Sequence, residues 1–244
     1  MKKLLFSSLL VHFFCFSFSQ SKTLNTISDS SIKNFISKKQ ILLTNKAKFK
    51  EHKEELEGAS SFLINYNNKV YAVTAKHLLG EEMGIEPEIN IKDLSKYYIS
   101  WTMFPRVPIN PKNHTVRIGK PTLNYEALNT DILLLEIVNI NFNTTPLNPQ
   151  FNLPTKGDKL YIVGCPYSQT NCRQNIYEIS YDSYDPEPSM LNCIIKKKVE
   201  LSGFSGAPVL DSKGNVVGVL TTAWEENKTR FVGVIFIKEI QKIK

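Results

Sequence analysis

The sequence predicts an all-β fold, a barrel or a sandwich. Short apolar runs of single-strand length recur along the chain, separated by turn residues. Two of them, 58–66 and 70–74, are joined by the tight turn Asn67-Asn68-Lys69, a hairpin signal. No internal repeat, long linker or low-complexity tract interrupts the pattern. With 244 residues, 42% hydrophobic and 22% charged, the chain is long enough for a large core in one or two domains.

The amino terminus reads as a processing segment. Lys2 and Lys3 precede an apolar run from Leu4 to Phe18 that is too short to span a bilayer comfortably. Ser17-Phe18-Ser19 places small residues where a signal peptidase reads, so residues 1–19 are expected to leave as a signal peptide, with cleavage before Gln20. The alternative is an uncleaved anchor. No later segment is apolar enough to span a membrane, so a soluble, exported protein (secreted or periplasmic) is expected. Processing removes two lysines and no acids, taking the formal charge from +7 to +5. Lys196-Lys197-Lys198 is the one dense basic cluster and reads as a solvated face of a strand.

Residues 20–57 are polar and rich in Ser, Lys and Asn, with helix-like patches near 32–36 and 51–57. They are expected to form a leader packed loosely on a main domain at 58–244. Beyond the hairpin, strands are expected at 98–104, 115–118, 132–138, 159–163, 176–181, 191–199, 207–210, 216–222 and 231–236. Ser212-Lys213-Gly214-Asn215 is a turn between two of these. Residues 237–244 read as a short closing amphipathic helix. The stretch 139–155, with Pro146, Pro149 and Pro154, is the candidate crossing between two halves. Cys165, Cys172 and Cys193 remain after processing and allow one internal bridge, in any of three pairings. None neighbours a histidine, so zinc is not expected. His52 and His114 lie in polar stretches and read as surface residues.

Three segments carry chemistry. Leu201-Ser202-Gly203-Phe204-Ser205-Gly206 puts a serine between glycines in a turn before an apolar strand. A bend at Gly203 can aim successive amide N–H groups at one point beside the Ser205 hydroxyl, as acyl transfer through an oxyanion requires. Ala72-Val73-Thr74-Ala75-Lys76-His77 puts a histidine just past a buried strand. Asn129-Thr130-Asp131 puts an acid at the mouth of the strongly apolar run Ile132–Leu135. A carboxylate there needs a hydrogen-bonding partner, and an imidazole N–H is one. That bond also leaves the other ring nitrogen free to accept the serine proton.

The order His, Asp, Ser and the three surroundings resemble the chymotrypsin-like serine peptidases, in particular their compact bacterial trypsin-like members. The separations are 54 and 74 residues. The resemblance covers about residues 56–240, and Ala207 stands where a nucleophile-elbow hydrolase needs glycine. It implies two packed six-stranded antiparallel β-barrels with a short C-terminal helix, barrel 1 at about 58–145 and barrel 2 at about 155–236. It implies that His77 is the general base, that Asp131 orients it and that Ser205 is the nucleophile. The Gly203 and Ser205 N–H groups would form the oxyanion hole. The run 218–223 resembles the strand that pairs with substrate backbone, which places Thr221, Thr222 and Ala223 at the substrate, and Thr221 where a hydroxyl would support Asp131.

The sequence also departs from the digestive members. Phe204 stands where they hold a new amino terminus with an aspartate, so no activation switch of that kind is expected, and Phe204 is expected to pack inward. Lining up the run before Ser205 puts Val199 and Glu200 at the base or wall of the primary pocket. A valine floor predicts an apolar or small side chain before the scissile bond, whereas an inward Glu200 predicts Lys or Arg. The expected activity is that of an exported serine endopeptidase acting on a peptide or protein substrate. The alternative is a catalytically weak protein of the same fold that binds a partner. No metal or other cofactor and no nucleic acid is expected, nor any membrane contact after signal removal.

Overall fold

The computed structural model describes residues 29–52, 55–107, 114–125 and 129–243, so the signal segment lies outside the described residues. Twelve strands among them close into two barrels with antiparallel pairing throughout. Barrel 1 comprises β1 (Leu43–Phe49), β2 (Leu56–Tyr66), β3 (Lys69–Thr74), β4 (Tyr98–Phe104), β5 (Val116–Ile118) and β6 (Leu133–Ile140), in the order β1-β2-β3-β6-β5-β4. Barrel 2 comprises β7 (Lys159–Gly164), β8 (Asn175–Asp185), β9 (Met190–Ile194), β10 (Ala207–Leu210), β11 (Val216–Glu226) and β12 (Thr229–Phe236), in the order β10-β11-β12-β9-β8-β7. This is the two-barrel fold that the resemblance implied. Closure removes the unpaired sheet edges that an open sheet of this length would expose.

Two expectations about the chain before residue 58 are corrected. The segment is not a loosely packed leader in its described part, because β1 pairs with both β2 and β4 and completes barrel 1. Its strand pattern is hidden by Asn45, a fully buried polar residue at a core position. The Asn45 side chain donates to Ser60 O at 3.2 Å and accepts from Trp101 Nε1 at 3.1 Å, which makes a polar core position tolerable. Ahead of β1, helix α1 (Asp29–Lys38) buries Ile32 and Ile36, and lies against the turn at Gly214 in barrel 2. The Gln174 amide ties the joint: its oxygen accepts from Ile41 N and Leu42 N, and its nitrogen donates to Ile36 O and Lys39 O. Residues 51–52 and 55 do not extend a helix.

The 141–158 connection is stitched to both barrels. Leu147 exchanges backbone hydrogen bonds with β2 on one side, and Asn148 and Gln150 bond Val216 on the other, at 2.8 Å each. The closing helix is a short 3-10 segment, Ile237–Lys242, which buries Ile237, Glu239 and Ile240. Buried Glu239 meets Lys242 Nζ at 2.8 Å and Thr130 Oγ1 at 3.4 Å, next to Asp131 in barrel 1. None of the described helices is long and apolar enough to cross a membrane. The lysine run is also corrected: β9 stops at Ile194, and Lys196–Lys198 occupy an exposed loop beyond it. His52 is half-buried, with its ring edge-on to Phe49 and Tyr97.

Candidate active site

Barrel 1 supplies His77 and Asp131. Strand β3 ends at Thr74, and the 3-10 turn Lys76–Leu79 turns the chain so that His77 faces out while Leu78 and Leu79 stay buried. Asp131 lies two residues before β6, whose Leu133 pairs with Thr74. That register brings the acid to the histidine. Asp131 Oδ1 accepts from the His77 backbone N–H at 2.8 Å, and Oδ2 lies 2.5 Å from Nδ1. An ionised carboxylate can only accept, so the ring proton sits on Nδ1 and leaves Nε2 as an acceptor. Burial works to lower the His77 pKa. The hydrogen bond and charge of Asp131, with a contribution from Glu82, outweigh it and raise the value above the ordinary 6.5. Glu82 Oε2 lies 3.7 Å from Nε2 on an exposed side chain.

Barrel 2 supplies the serine turn, and one glycine docks it on barrel 1. Gly206 has φ +87°, and a Cβ there would lie 2.0 Å from Ser60 O and 2.5 Å from Thr74 Oγ1. Only glycine lets the turn approach the strand that leads into His77 this closely. Ser60 N then donates to Ser205 O at 2.7 Å. Among the described residues the Ser205 hydroxyl and His77 Nε2 share no hydrogen bond.

The amides of the turn divide into two sets. Phe204 N donates to Leu201 O, Gly206 N to Leu220 O and Ala207 N to Phe204 O. Gly203 N and Ser205 N have no acceptor among the described residues. Backbone donors are nearly always satisfied, so two spare ones flanking a half-buried serine turn form a ready anion site. Phe204 is fully buried, edge-on to Tyr177 with centroids 5.4 Å apart and directly over Gly164, where a Cβ would lie 2.4 Å from its ring.

The substrate-side residues fall in two places. Pairing of β11 to β10 stops at Leu220, so Thr221, Thr222 and Ala223 continue with only β12 beside them. Among the described residues, one edge of that stretch carries no paired strand and can take an added one. Thr221 sits at a bulge and makes no hydrogen bond to Asp131 among the described residues, so the supporting bond expected from it is not formed. Val199 and Glu200 line a groove of about 940 Å³, together with the Lys196–Lys198 loop, Glu225, Lys228 and Arg230. Arg230 Nη1 donates to Val199 O across the groove's lining.

Three contributors to the site carry no sequence signal of their own. Ser60 and Tyr167 meet the serine turn, and Arg106 meets the loop that carries Tyr167, only through tertiary contacts. Tyr167 lies within the Cys165–Cys172 disulfide loop, the pairing adopted among the three left open, while Cys193 is a buried free thiol. The cysteine spacing marks a loop there without showing what it touches.

Similar folds occur among solved proteases. The Rv3671c protease of M. tuberculosis in its active form aligns with a TM-score of 0.56 at 16% identity, covering 88% of this chain and 84% of that one. Its inactive form aligns with a TM-score of 0.54 at 14% identity, covering 88% and 93%. The serine endoprotease from Yersinia pestis aligns with a TM-score of 0.54 at 15% identity, covering 87% of this chain and 64% of that one. At these identities the likeness concerns the fold. No curated protein matches the sequence. Residues 59–219 match the trypsin-like peptidase domain, two thirds of the chain including both barrels' site segments, and the chain therefore belongs to that peptidase family.

Proposed function

We propose that the protein is an exported serine endopeptidase, with Ser205 as nucleophile, His77 as general base and then acid, and Asp131 as the group that orients His77. The observation that carries this reading is the doubly anchored Asp131–His77 pair, which leaves Nε2 as a proton acceptor. Ser205 Oγ attacks the scissile carbonyl while Nε2 takes its proton. The oxyanion meets Gly203 N–H and Ser205 N–H. The imidazolium then returns the proton to the leaving amine, and water repeats the cycle on the acyl-enzyme. Such nucleophile–base bonds are often loose in a free enzyme and tighten with substrate bound. The Cys165–Cys172 bridge supports an oxidising compartment and hence export.

A fluorophosphonate probe tests the assignment. Covalent labelling of the wild type, lost in Ser205→Ala and strongly reduced in His77→Ala, is the expected result; full labelling of Ser205→Ala refutes it. The missing Ser205–His77 hydrogen bond favours a second reading, a binding protein with little catalysis, and a folded wild type that takes no label selects it. For export, sequencing the amino terminus of the protein from the periplasm or medium should start at Gln20.

A further inference from the structure

We infer that the Cys165–Cys172 loop braces the oxyanion turn, with Tyr167 and Arg106 as positioning residues; the inference rests on Ser205 being the nucleophile. The Ser202–Gly203 peptide can face either way. With Gly203 N–H toward the reacting carbonyl it donates to the oxyanion. Rotated by half a turn, it offers the Ser202 carbonyl instead and repels it. Gly203, at φ +93°, is a residue that permits such rotation. Phe204 anchors the turn by burial, but a hydrocarbon ring gives no conventional hydrogen bond to this peptide's two polar groups.

Tyr167 does. Its backbone N–H donates to Ser202 O at 3.0 Å. In a trans peptide the following N–H points the opposite way, so this bond turns Gly203 N–H away from Tyr167 and out of the loop. The next carbonyl, Gly203 O, accepts from Ser60 Oγ at 2.7 Å, which locks the other side of the glycine to barrel 1. The Tyr167 ring lies against Gly203 itself, where a Cβ would come within 2.9 Å.

Tyr167 is in turn held from barrel 1. Its hydroxyl accepts from Ala59 N–H. Arg106, just past β4, donates to the carbonyls of Cys165 at 2.9 Å, Pro166 at 2.8 Å and Tyr167 at 3.0 Å, and its guanidinium lies 5.3 Å from the Tyr167 ring centroid. A guanidinium usually finds a carboxylate; here its fork is committed to three successive backbone oxygens of one loop. The disulfide closes that loop over seven residues. Disulfide, arginine fork and tyrosine thus form one chain of contacts that ends on the peptide bearing an oxyanion donor.

The test compares wild type, Arg106→Ala, Arg106→Lys, Tyr167→Phe and the double variant Cys165→Ser/Cys172→Ser. Thermal unfolding checks folding, steady-state peptide hydrolysis separates kcat from KM, and a fluorophosphonate gives the labelling rate. Loss of a single oxyanion donor typically costs about 10²–10³-fold in kcat, so partial release by Arg106→Ala or the double serine variant should lower kcat by about 10–100-fold with KM nearly unchanged. Arg106→Lys, which keeps the charge and loses the fork, should recover little. The acid limb of the pH profile should not move, since His77 and Asp131 are untouched. Should the serine variant fail to fold, Arg106→Lys and Tyr167→Phe decide. A labelled wild type whose folded variants keep kcat within about twofold, or lose only KM, overturns this proposal alone. A folded wild type that takes no label overturns the nucleophile assignment and this proposal with it.

Discussion

Replacing Gly206 by alanine probes the contact that holds the two halves of the site together. Two effects add. At φ +87° an alanine is in the left-handed region, which costs about 1–2 kcal/mol. The new Cβ also meets Ser60 O at 2.0 Å and Thr74 Oγ1 at 2.5 Å. Neither atom can retreat freely, because Thr74 Oγ1 donates to Ser60 O at 2.7 Å and both belong to paired strands of barrel 1. Overpacking of this kind costs about 1–3 kcal/mol, and the Ser60 N–Ser205 O bond at the same contact is worth about 1 kcal/mol. Gly157 is the control, with φ +91° and nothing within 4 Å of its would-be Cβ. Gly157→Ala carries the backbone cost alone. Gly206→Ala should therefore be less stable than Gly157→Ala by about 2–4 kcal/mol, which at about 2–4 °C per kcal/mol places its Tm about 4–16 °C lower. A serine displaced by about 1 Å should also label about 10²-fold more slowly. Differential scanning calorimetry and fluorophosphonate kinetics on the two variants measure both quantities. Equal Tm values and equal labelling rates would refute the docking role of Gly206.

The remaining predictions concern charge and the free thiol. In the proposed mechanism neutral His77 is the active form, and its pKa is raised, so the acid limb of kcat/KM should have its midpoint above 6.5. Glu82→Gln removes one raising charge and should shift that limb to lower pH; an upward shift would contradict the assignment. Burial, with the Asp182 charge, pushes the Cys193 thiol up to about 12, so iodoacetamide at pH 8 should leave the native processed chain unmodified and alkylate a single thiol once it is unfolded without reductant, as mass spectrometry would show. Five cations and two carboxylates line the groove beside Val199, and among the described residues none of these cations forms an ion pair. With this groove as the primary pocket proposed from the sequence, a peptide library should show acidic residues before the scissile bond favoured over Lys or Arg, by a margin that shrinks with added salt; a preference for Lys or Arg would overturn this.

The strand content was legible in the sequence because short apolar runs, some alternating and some continuous, report strands buried on one face or both, and eleven of the twelve strands announce themselves that way. Strand β1 does not, since Asn45 fills a core position through hydrogen bonds to residues 13–56 positions away, and the sequence carries no mark of those partners. The same limit hid the helix–barrel joint at Gln174, whose four bonds reach back more than 130 residues. The lysine run is a related case: local propensity extends Met190–Ile194 onward, whereas the ladder with β12 ends at the Ile194–Phe231 pair.

By itself the sequence determined the all-β class, the peptidase family and the three side chains proposed to do the chemistry. Each of these depends on residue type within a few neighbours, which a linear string preserves. Only the tertiary structure decided how those side chains are held: Asp131 on the backbone N–H and Nδ1 of His77, Gly206 seated on Ser60 and Thr74, and Tyr167 gripping the serine turn from a separate loop that Arg106 holds in turn. Those contacts join residues far apart along the chain. They exist because barrel closure brings the ends of strands to one cleft, where a close approach or a spare backbone carbonyl gives ordinary residues a role.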